Sequence, residues 1–183
     1  MSKKIILGLV GEIASGKGTV AKYLENKYTA SIHRFSTPLR DILNRIYLDI
    51  DRKNMQTLST TLREAFGQDL LAKIIGRDAD KDPNPIIVID GIRRFADIKY
   101  LKDLPEFNLV YVTAKIEIRY ERLIKRGENE DDNNKTFEQF LEDHKAEPEL
   151  EIPKIGKSAK LVIDNSKDME NLYTRLDEIV QNA

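Results

Sequence analysis

The chain has 183 residues, of which 40% are hydrophobic and 33% are charged, which is enough for one domain with a sizeable core. Lys and Arg number 30 and Asp and Glu number 31, a balance that argues against broad binding to nucleic acid or anionic membranes. The chain contains no cysteine, which excludes disulfides and thiolate zinc sites, and its two histidines argue against a multi-histidine metal site.

The first apolar run, residues 5–10, is too short to span a membrane, and no signal-peptide cleavage pattern follows it. No repeat and no Gly/Ser-rich or Pro-rich linker divides the chain. We therefore expect one domain over residues 1–183, in the cytoplasm, with a small molecule as its partner and neither nucleic acid nor membrane. The sequence leaves monomer and dimer open.

Apolar runs alternate with amphipathic stretches along the whole chain. The apolar runs predict five strands, at residues 4–10, 31–35, 86–89, 109–112 and 161–163. Helical spacing predicts the intervening elements, at residues 18–28, 38–48, 53–77 with a break near Gly67, 95–104, 116–126, 136–145 and 169–180. Strands separated by helices indicate a parallel sheet with right-handed crossovers.

Polar signals follow three of the predicted strands. A glycine-rich loop follows the first strand, Asp90 follows the middle one and Asn165 follows the last one. Ligands of parallel sheets bind beyond the carboxyl ends of the strands. The three signals therefore predict a single site at that edge of the sheet.

Residues 11–19 read Gly-Glu-Ile-Ala-Ser-Gly-Lys-Gly-Thr, which matches the G-x-x-x-x-G-K pattern between a strand and a helix. Glycines let the backbone curl so that its N–H groups point inward, and the helix N-terminus completes an anion-binding nest. Lys17 adds a mobile positive charge for the β- and γ-phosphates. The pattern predicts ATP binding by Gly11, Ala14, Ser15, Gly16, Lys17, Gly18 and Thr19.

Gly18 stands directly after Lys17, where many such loops carry the Ser or Thr that binds magnesium, and Thr19 follows it. This GKGT form resembles adenylate kinase and other nucleoside monophosphate kinases. The resemblance implies an α/β fold, a three-layer α/β/α P-loop NTPase with a five-stranded parallel sheet of order 2-3-1-4-5 and a short helical lid. It also implies ATP and Mg²⁺ as cofactors, with the metal held largely by phosphates and water and with Thr19 as a candidate ligand.

The middle strand ends in Asp90, and a carboxylate after a buried apolar strand is typical of a Walker B element. We predict that Asp90 binds magnesium through water or positions the acceptor oxygen, while a turn or N-cap aspartate is the alternative. The segment Asp90-Gly91-x-Arg93 resembles the DG-x-x-R segment of adenylate kinases, with the arginine one residue earlier. The resemblance implies that Arg93 or Arg94 holds the acceptor phosphate, and we favour Arg93.

Residues 36–77 are the predicted acceptor-binding region. The segment Phe-Ser-Thr-Pro-Leu-Arg, residues 35–40, resembles the start of the monophosphate-binding segment of these kinases, with a spacing closest to deoxynucleoside monophosphate kinases. Arg63 lies in a segment similar to an arginine-containing one of that group. The resemblance implies that Ser36, Arg40 and Arg63 bind the acceptor. A solvated helix face or a surface ion pair is the alternative for both arginines.

The predicted helix at residues 116–126 places Arg119, Arg122 and Arg126 at spacings of three and four, so that they share one side. Guanidinium groups are always charged and planar, and they suit the charge that spreads over a transferred phosphoryl group. Arg122-x-x-x-Arg126 resembles the pair that starts the lid of adenylate kinases, which implies catalytic roles with Arg122 near adenine and Arg126 near the phosphates. A basic exposed face balanced by glutamates is the alternative.

The lid is predicted over residues 119–147, and its acidic loop at residues 127–134 would exclude competing water on closing. Asp143 and Glu147, four residues apart, would orient lid arginines or contact the acceptor, unless they form a solvated acidic face.

Asn165-Ser166 stands where these kinases touch adenine through backbone groups, and a turn with a helix cap is the alternative. His33 and His144 have no partner pattern and are assigned no role.

The resemblance implies a kinase that transfers the γ-phosphoryl group of Mg-ATP to a nucleotide-like acceptor, with a nucleoside or deoxynucleoside monophosphate as the best candidate. Dephospho-coenzyme A kinase is the nearest alternative, but residues 34–38, Arg-Phe-Ser-Thr-Pro, replace its Asp-x-Asp element. A GTPase is disfavoured because no Asn-Lys-x-Asp motif is present. A regulatory or assembly ATPase resembling adenylate kinase is the alternative from another class.

Overall fold

A computed structural model describes residues 4–126, 132–145 and 149–182. The described strands are β1 Ile5–Val10, β2 Ser31–Arg34, β3 Ile86–Ile92, β4 Phe107–Thr113 and β5 Leu161–Asp164. The described α-helices are α1 Lys17–Tyr28, α2 Thr37–Arg45, α3 Arg52–Phe66, α4 Leu70–Lys81, α5 Ile116–Arg126, α6 Phe137–Asp143, α7 Ile152–Ser158 and α8 Met169–Asn182. In these ranges no helix combines the length and the apolar character that crossing a bilayer requires.

The five strands form one parallel sheet in the order β2-β3-β1-β4-β5. β1 lies at its centre, with Gly8 opposite Ile89 of β3 on one side and Leu109 of β4 on the other. All six residues of β1 are buried, as are residues 86–89 of β3, which suits strands that are covered on both faces. The predicted fold class and strand order are confirmed.

Helices cover both faces of the sheet and divide the core into two clusters. One cluster packs α1 and α8 against the sheet through side chains such as Leu7, Leu9, Val20, Leu24 and Leu176. The other packs α4 and α7 against the opposite face through side chains such as Ile6, Val10, Ile75, Ile87 and Ile155. Because alternate residues of β1 serve opposite clusters, the arrangement is the expected three-layer α/β/α sandwich.

Local sequence signals fix several helix ends. Pro38 lies in the first turn of α2, where its missing N–H costs nothing. Asp51 caps α3 by accepting a hydrogen bond from the Asn54 N–H at 2.7 Å. Thr136 and Gln139 form a capping box at the start of α6, each side chain accepting from the other's backbone N–H.

β3 is longer than predicted, because it continues through Asp90 to Ile92. Gly91 has φ 97° and the pairing with β1 shifts register there, so that Val10 lies opposite Ile92. A positive φ of this kind favours glycine, and the irregularity re-aims the strand end. Asp90 therefore lies inside the last part of the strand rather than after it.

One predicted helix is wrong, and one helix was not predicted. The helix predicted at residues 95–104 is a 3₁₀ turn at Phe95–Ile98 followed by turns, because the Asp97 carboxylate accepts from the backbone N–H groups of Arg93 and Arg94, at 3.0 Å each. α7 was not predicted, since its seven residues include a proline and Gly156. A Cβ on Gly156 would lie 2.7 Å from the Tyr111 ring, so this glycine allows the helix to approach β4 closely.

Candidate active site

The loop between β1 and α1 is shaped by positions where larger residues do not fit. Gly16 has φ 105°, and a Cβ there would lie 2.1 Å from Asn165 Nδ2. A Cβ on Gly11 would lie 2.2 Å from the Val112 carbonyl oxygen. Gly16 is also the N-cap residue of α1 and brings no side chain to cap the helix. The first backbone N–H groups of α1 are thus left for an external acceptor, preferably an anion.

Lys17 folds back over this loop. Its Nζ donates to the backbone carbonyls of Gly11 at 2.6 Å and Glu12 at 3.1 Å. Burial lowers the pKa of Lys17, and the nearby carboxylates of Asp90 and Glu149 partly offset that effect. The carboxylates therefore do not fully offset the cost of burying the ammonium group. A lysine in this state gains from a bound phosphate, which supplies the missing negative charge.

The loop is supported from behind by two side chains of the β4–α5 region. Arg119 is buried and donates from Nη1 to the Ile13 carbonyl at 3.2 Å. The Tyr111 hydroxyl donates to the Glu12 carboxylate, and burial together with this carboxylate raises the pKa of Tyr111. These contacts hold Glu12 and Ile13 of the loop in a fixed position.

Arg119 does not share an environment with the other arginines of α5. Its Nη1 also donates to His144 Nε2 at 2.7 Å, and its Nε donates to the Ala114 carbonyl at 3.1 Å. Because Nε2 accepts, the Nδ1–H of His144 donates to the Phe140 carbonyl at 2.8 Å. Arg119 is therefore a structural link between α5, α6 and the loop, and His144, assigned no role from sequence, is its partner.

Asn165 connects three parts of the site. Its backbone N–H donates to the Thr113 carbonyl at 2.7 Å, and its side-chain Nδ2 donates to the Ser15 carbonyl at 2.9 Å. Its own carbonyl accepts from Arg122 Nη2 at 2.8 Å. The residue that follows β5 thus fixes both the glycine loop and the side chain of Arg122.

Arg122 is held beside Gly16, with Nη1 4.0 Å from the position of a Cβ on that glycine. In the described part of the chain, Arg122 Nη1 and Asn165 Oδ1 are buried without a hydrogen-bond partner. Buried polar atoms are normally satisfied, so an unpartnered donor beside an uncapped helix N-terminus indicates a place for an external ligand. These residues fit the phosphates of a nucleotide.

Other predicted donor-side residues lie at the surface. Gly18 faces open space, Thr19 is exposed on the first turn of α1, and Arg126 is exposed one turn beyond Arg122. Residues 127–131 of the predicted lid loop and Glu147 lie outside the described residues. Asp143 lies on α6 and pairs with Lys135 at 2.6 Å, so its carboxylate is engaged there rather than with Arg122.

Two residues predicted for the acceptor side, together with Glu149, lie near Lys17. Asp90 lies 3.6 Å from Arg34 Nε, with its side chain 20% exposed. Arg93 is exposed, and its Nη1 lies 3.8 Å from Glu149 Oε1. The charges of Asp90, Arg93 and Glu149 all act on the pKa of Lys17, so the three residues lie around it. Glu149, a buried carboxylate, is the member of this group that the sequence did not reveal.

Residues 36–77 separate into exposed and buried members. Ser36 is the N-cap residue of α2, where its backbone carbonyl accepts from the Arg40 N–H at 3.0 Å, and the Arg40 side chain is exposed. Arg63 is buried, donates to the Gln68 carbonyl at 2.5 Å, and lies 3.5 Å from Asp97 Oδ1. Since Asp97 holds the Arg93 backbone, Arg63 supports that segment from behind.

A metal ion would find few ligands from the protein alone. Among residues 4–126, 132–145 and 149–182, no cluster of three or more His, Asp or Glu residues could hold a metal ion. Thr19 and Asp90 are the oxygen donors that the sequence predicts for magnesium. Such a pair suits an ion that takes most of its ligands from phosphate and water.

Comparisons with known proteins agree with this architecture. A family described as AAA domain (AAA_17) matches residues 10–138. A UPF0200 protein of Sulfurisphaera tokodaii is 26% identical over 99% of this chain and 98% of its own length, and one of Methanocaldococcus jannaschii is 26% identical over 97% and 89%.

Solved structures show the same fold at low identity. TT1252 from Thermus thermophilus has a TM-score of 0.63 at 19% identity and covers 98% of both chains. Shikimate kinase from Bacteroides thetaiotaomicron has a TM-score of 0.62 at 12% identity and covers 97% of both chains. The expected P-loop kinase-like fold is confirmed.

Proposed function

Because this chain belongs to the AAA domain family, we propose that it is an ATP-dependent phosphotransferase that transfers a γ-phosphoryl group to a small, nucleotide-like acceptor. A nucleoside or deoxynucleoside monophosphate is the acceptor that we infer. The observation that carries the proposal is the position of Arg122, fixed beside Gly16 by Asn165 with its Nη1 unpartnered.

On the donor side, the N–H groups of the loop and of the first turn of α1 bind the phosphates, and Lys17 turns from the Gly11 and Glu12 carbonyls toward them. Arg122 donates to a phosphate or stacks on adenine from its anchor on Asn165. Arg126, one turn further along α5, is assigned to the charge of the transferred group. Fixed cations of this kind stabilise the charge that spreads over the phosphoryl oxygens.

Bound magnesium would supply positive charge that neutralises the charge developing on the transferred phosphoryl group. In this chain Asp90 and Thr19 would hold it, Asp90 from the end of β3 and Thr19 from the first turn of α1. Asp90 also favours the cationic form of Lys17, because its carboxylate opposes the effect of burial on the Lys17 pKa. One carboxylate thus serves both the metal and the phosphate-binding lysine.

On the acceptor side, Arg93 is the residue best placed to bind an anionic group, since it is exposed and lies near Lys17. Ser36 and Arg40 line the start of α2 and provide further donors. We assign Arg63 an indirect role on this side. It pairs with Asp97, which in turn holds the Arg93 backbone, and it does not itself contact the acceptor. An acceptor that carries a phosphate matches these cations in charge.

The test is an ADP-release assay with Mg-ATP and a panel of nucleoside and deoxynucleoside monophosphates, dephospho-coenzyme A and shikimate. The proposal predicts that one nucleoside monophosphate raises the rate at least about tenfold over ATP alone, since a bound acceptor replaces slow hydrolysis by water. If only dephospho-coenzyme A stimulates ADP release, the protein would be a dephospho-coenzyme A kinase instead. Slow hydrolysis that no acceptor stimulates, with co-purification of a macromolecule, would favour an assembly ATPase.

A further inference from the structure

Glu149 is a buried carboxylate among cations. Its side chain is only 9% exposed, and its Oε1 lies 3.8 Å from Arg93 Nη1. Its charge also opposes the burial effect that lowers the pKa of Lys17 and of Arg119. A buried carboxylate is costly unless cations compensate it. Cations from the glycine loop, the end of β3 and α5 therefore surround this one acid.

Arg93 needs an anchor in order to bind a ligand with fixed geometry. Its backbone is held, because its N–H donates to Asp97 Oδ2 at 3.0 Å, but its side chain is 56% exposed. A long exposed guanidinium loses considerable rotamer freedom when it binds a ligand, unless a partner has already restricted it. Glu149 Oε1 lies 3.8 Å from the guanidinium Nη1, and more than half of the Arg93 side chain stays exposed.

The same carboxylate affects the donor side. A negative charge near Lys17 favours the protonated form of its ammonium group, and it also repels the phosphates of a nucleotide bound at the loop. Asp90 has the first of these effects as well, but Asp90 lies at the strand end next to Arg34. Glu149 pairs with Arg93 of the acceptor side at 3.8 Å, and its charge also acts on Lys17 of the donor side.

We propose that Glu149 is a positioning residue, which holds Arg93 ready for the anionic group of the acceptor and limits the attraction of Lys17 for donor phosphates. The part that concerns the acceptor rests on the proposed function. The part that concerns Arg93 orientation does not, and the part that concerns nucleotide affinity requires only nucleotide binding at the glycine loop, so the two can fail separately from the acceptor.

The first measurement is calorimetric binding of Mg-ADP at pH 7 to the full-length protein and to Glu149→Gln, Glu149→Asp and Glu142→Gln. Glu142 is an exposed acid that pairs with Lys145, and Glu142→Gln is the matched control because it also removes one negative charge. Removing the repelling charge should make Mg-ADP binding about threefold tighter in Glu149→Gln, with Glu149→Asp and Glu142→Gln close to the unmodified protein. A purely structural role would instead weaken binding and lower the unfolding temperature.

The second measurement is the rate at which phenylglyoxal modifies Arg93, followed by mass spectrometry of the Arg93 peptide. Freed from its carboxylate partner, Arg93 should react roughly threefold faster in Glu149→Gln, while Glu142→Gln leaves the rate unchanged. An unaltered Mg-ADP affinity or an unaltered Arg93 rate, in a Glu149→Gln protein that is folded by circular dichroism, overturns the proposal.

With a phosphorylated acceptor in hand, kinetics test the same role. Glu149→Gln should raise the acceptor KM about tenfold and change kcat less than about twofold, because binding rather than chemistry is affected. Arg93→Ala combined with Glu149→Gln should be no worse than Arg93→Ala alone, whereas additive losses would contradict positioning through Arg93. If no acceptor is phosphorylated, the proposed function fails, and the first two measurements still decide the role of Glu149.

Discussion

The Nη2 of Arg122 donates to the backbone carbonyl of Asn165 at 2.8 Å, and this contact joins α5 to the end of β5. Asn165 uses its side chain to hold the Ser15 carbonyl at 2.9 Å. A single residue thus sets the distance between the glycine loop and the arginine beside it. The geometry that we propose for phosphate binding is built by contacts between residues far apart in sequence.

Arg122→Ala should weaken Mg-ATP binding about 10- to 100-fold, since a charge-assisted hydrogen bond to phosphate contributes about 1.5–3 kcal/mol. Fluorescence titration with a nucleotide analogue measures the effect. Arg175→Ala, at an exposed arginine that pairs with Glu178 on α8, is the matched control and should bind like the unmodified protein. Equal affinity in Arg122→Ala would place the nucleotide elsewhere.

Gly16→Ala should lower the free energy of unfolding by about 1–3 kcal/mol, because the residue has φ 105° and its new Cβ would overlap Asn165 Nδ2. Gly18→Ala is the control, since Gly18 faces open space on the first turn of α1. This control should be neutral or stabilising by up to about 1 kcal/mol. Urea unfolding of both variants gives the comparison, and equal losses would argue against the tight fit at Gly16.

Arg63→Ala should destabilise the fold by about 3–5 kcal/mol, because it leaves the buried Asp97 without its cation. Adding Asp97→Asn should recover part of that loss, since the uncompensated charge is then removed. Denaturant unfolding of the single and double variants tests the pair. Were Arg63→Ala to keep full stability and lose only acceptor affinity, Arg63 would be a direct ligand of the acceptor.

Asp177 makes stability depend on pH. Hydrogen bonds from Lys27, Tyr28 and Tyr23 lower its pKa below the ordinary 3.8, so the folded state releases this proton more readily than the unfolded chain. The stabilisation is present above pH 3.8 and is lost as pH falls through the lower folded-state pKa. The difference in unfolding temperature between the unmodified protein and Asp177→Asn should therefore shrink as pH falls from 7 to 2.5. A difference that stays constant would show that the aspartate does not act through its charge.

Much of the architecture could be predicted because it follows from short-range patterns. β1 and the glycine loop carry their own signals, since six apolar residues precede a glycine pattern that few other structures require. The strand order followed from the resemblance that this loop suggested. α7 could not be predicted, because a helix of seven residues that include a proline and a glycine is too short to show a helical periodicity.

The site was less predictable than the fold, because its key contacts are long-range. Asn165 and Ser15 are 150 residues apart, so no local pattern reports their hydrogen bond. Arg119 and Arg122 have the same residue type and helical spacing, yet one is buried against His144 and the other lies beside Gly16. Glu149 belongs to an acidic stretch that is typical of solvent-exposed segments, and only tertiary packing distinguishes it from its neighbours.

The most direct test of phosphoryl transfer is ³¹P NMR of the protein with Mg-ATP and the best acceptor from the panel, compared with Lys17→Ala and with Lys22→Ala, an exposed lysine of α1. The account predicts a new phosphoryl resonance on the acceptor, formed together with ADP, in the unmodified protein and in Lys22→Ala. Lys17→Ala should lose at least about 100-fold in rate, as expected when a cation that meets the transferred charge is removed. Equal transfer by Lys17→Ala, or ADP formation with inorganic phosphate as the sole other product for every acceptor, would contradict it.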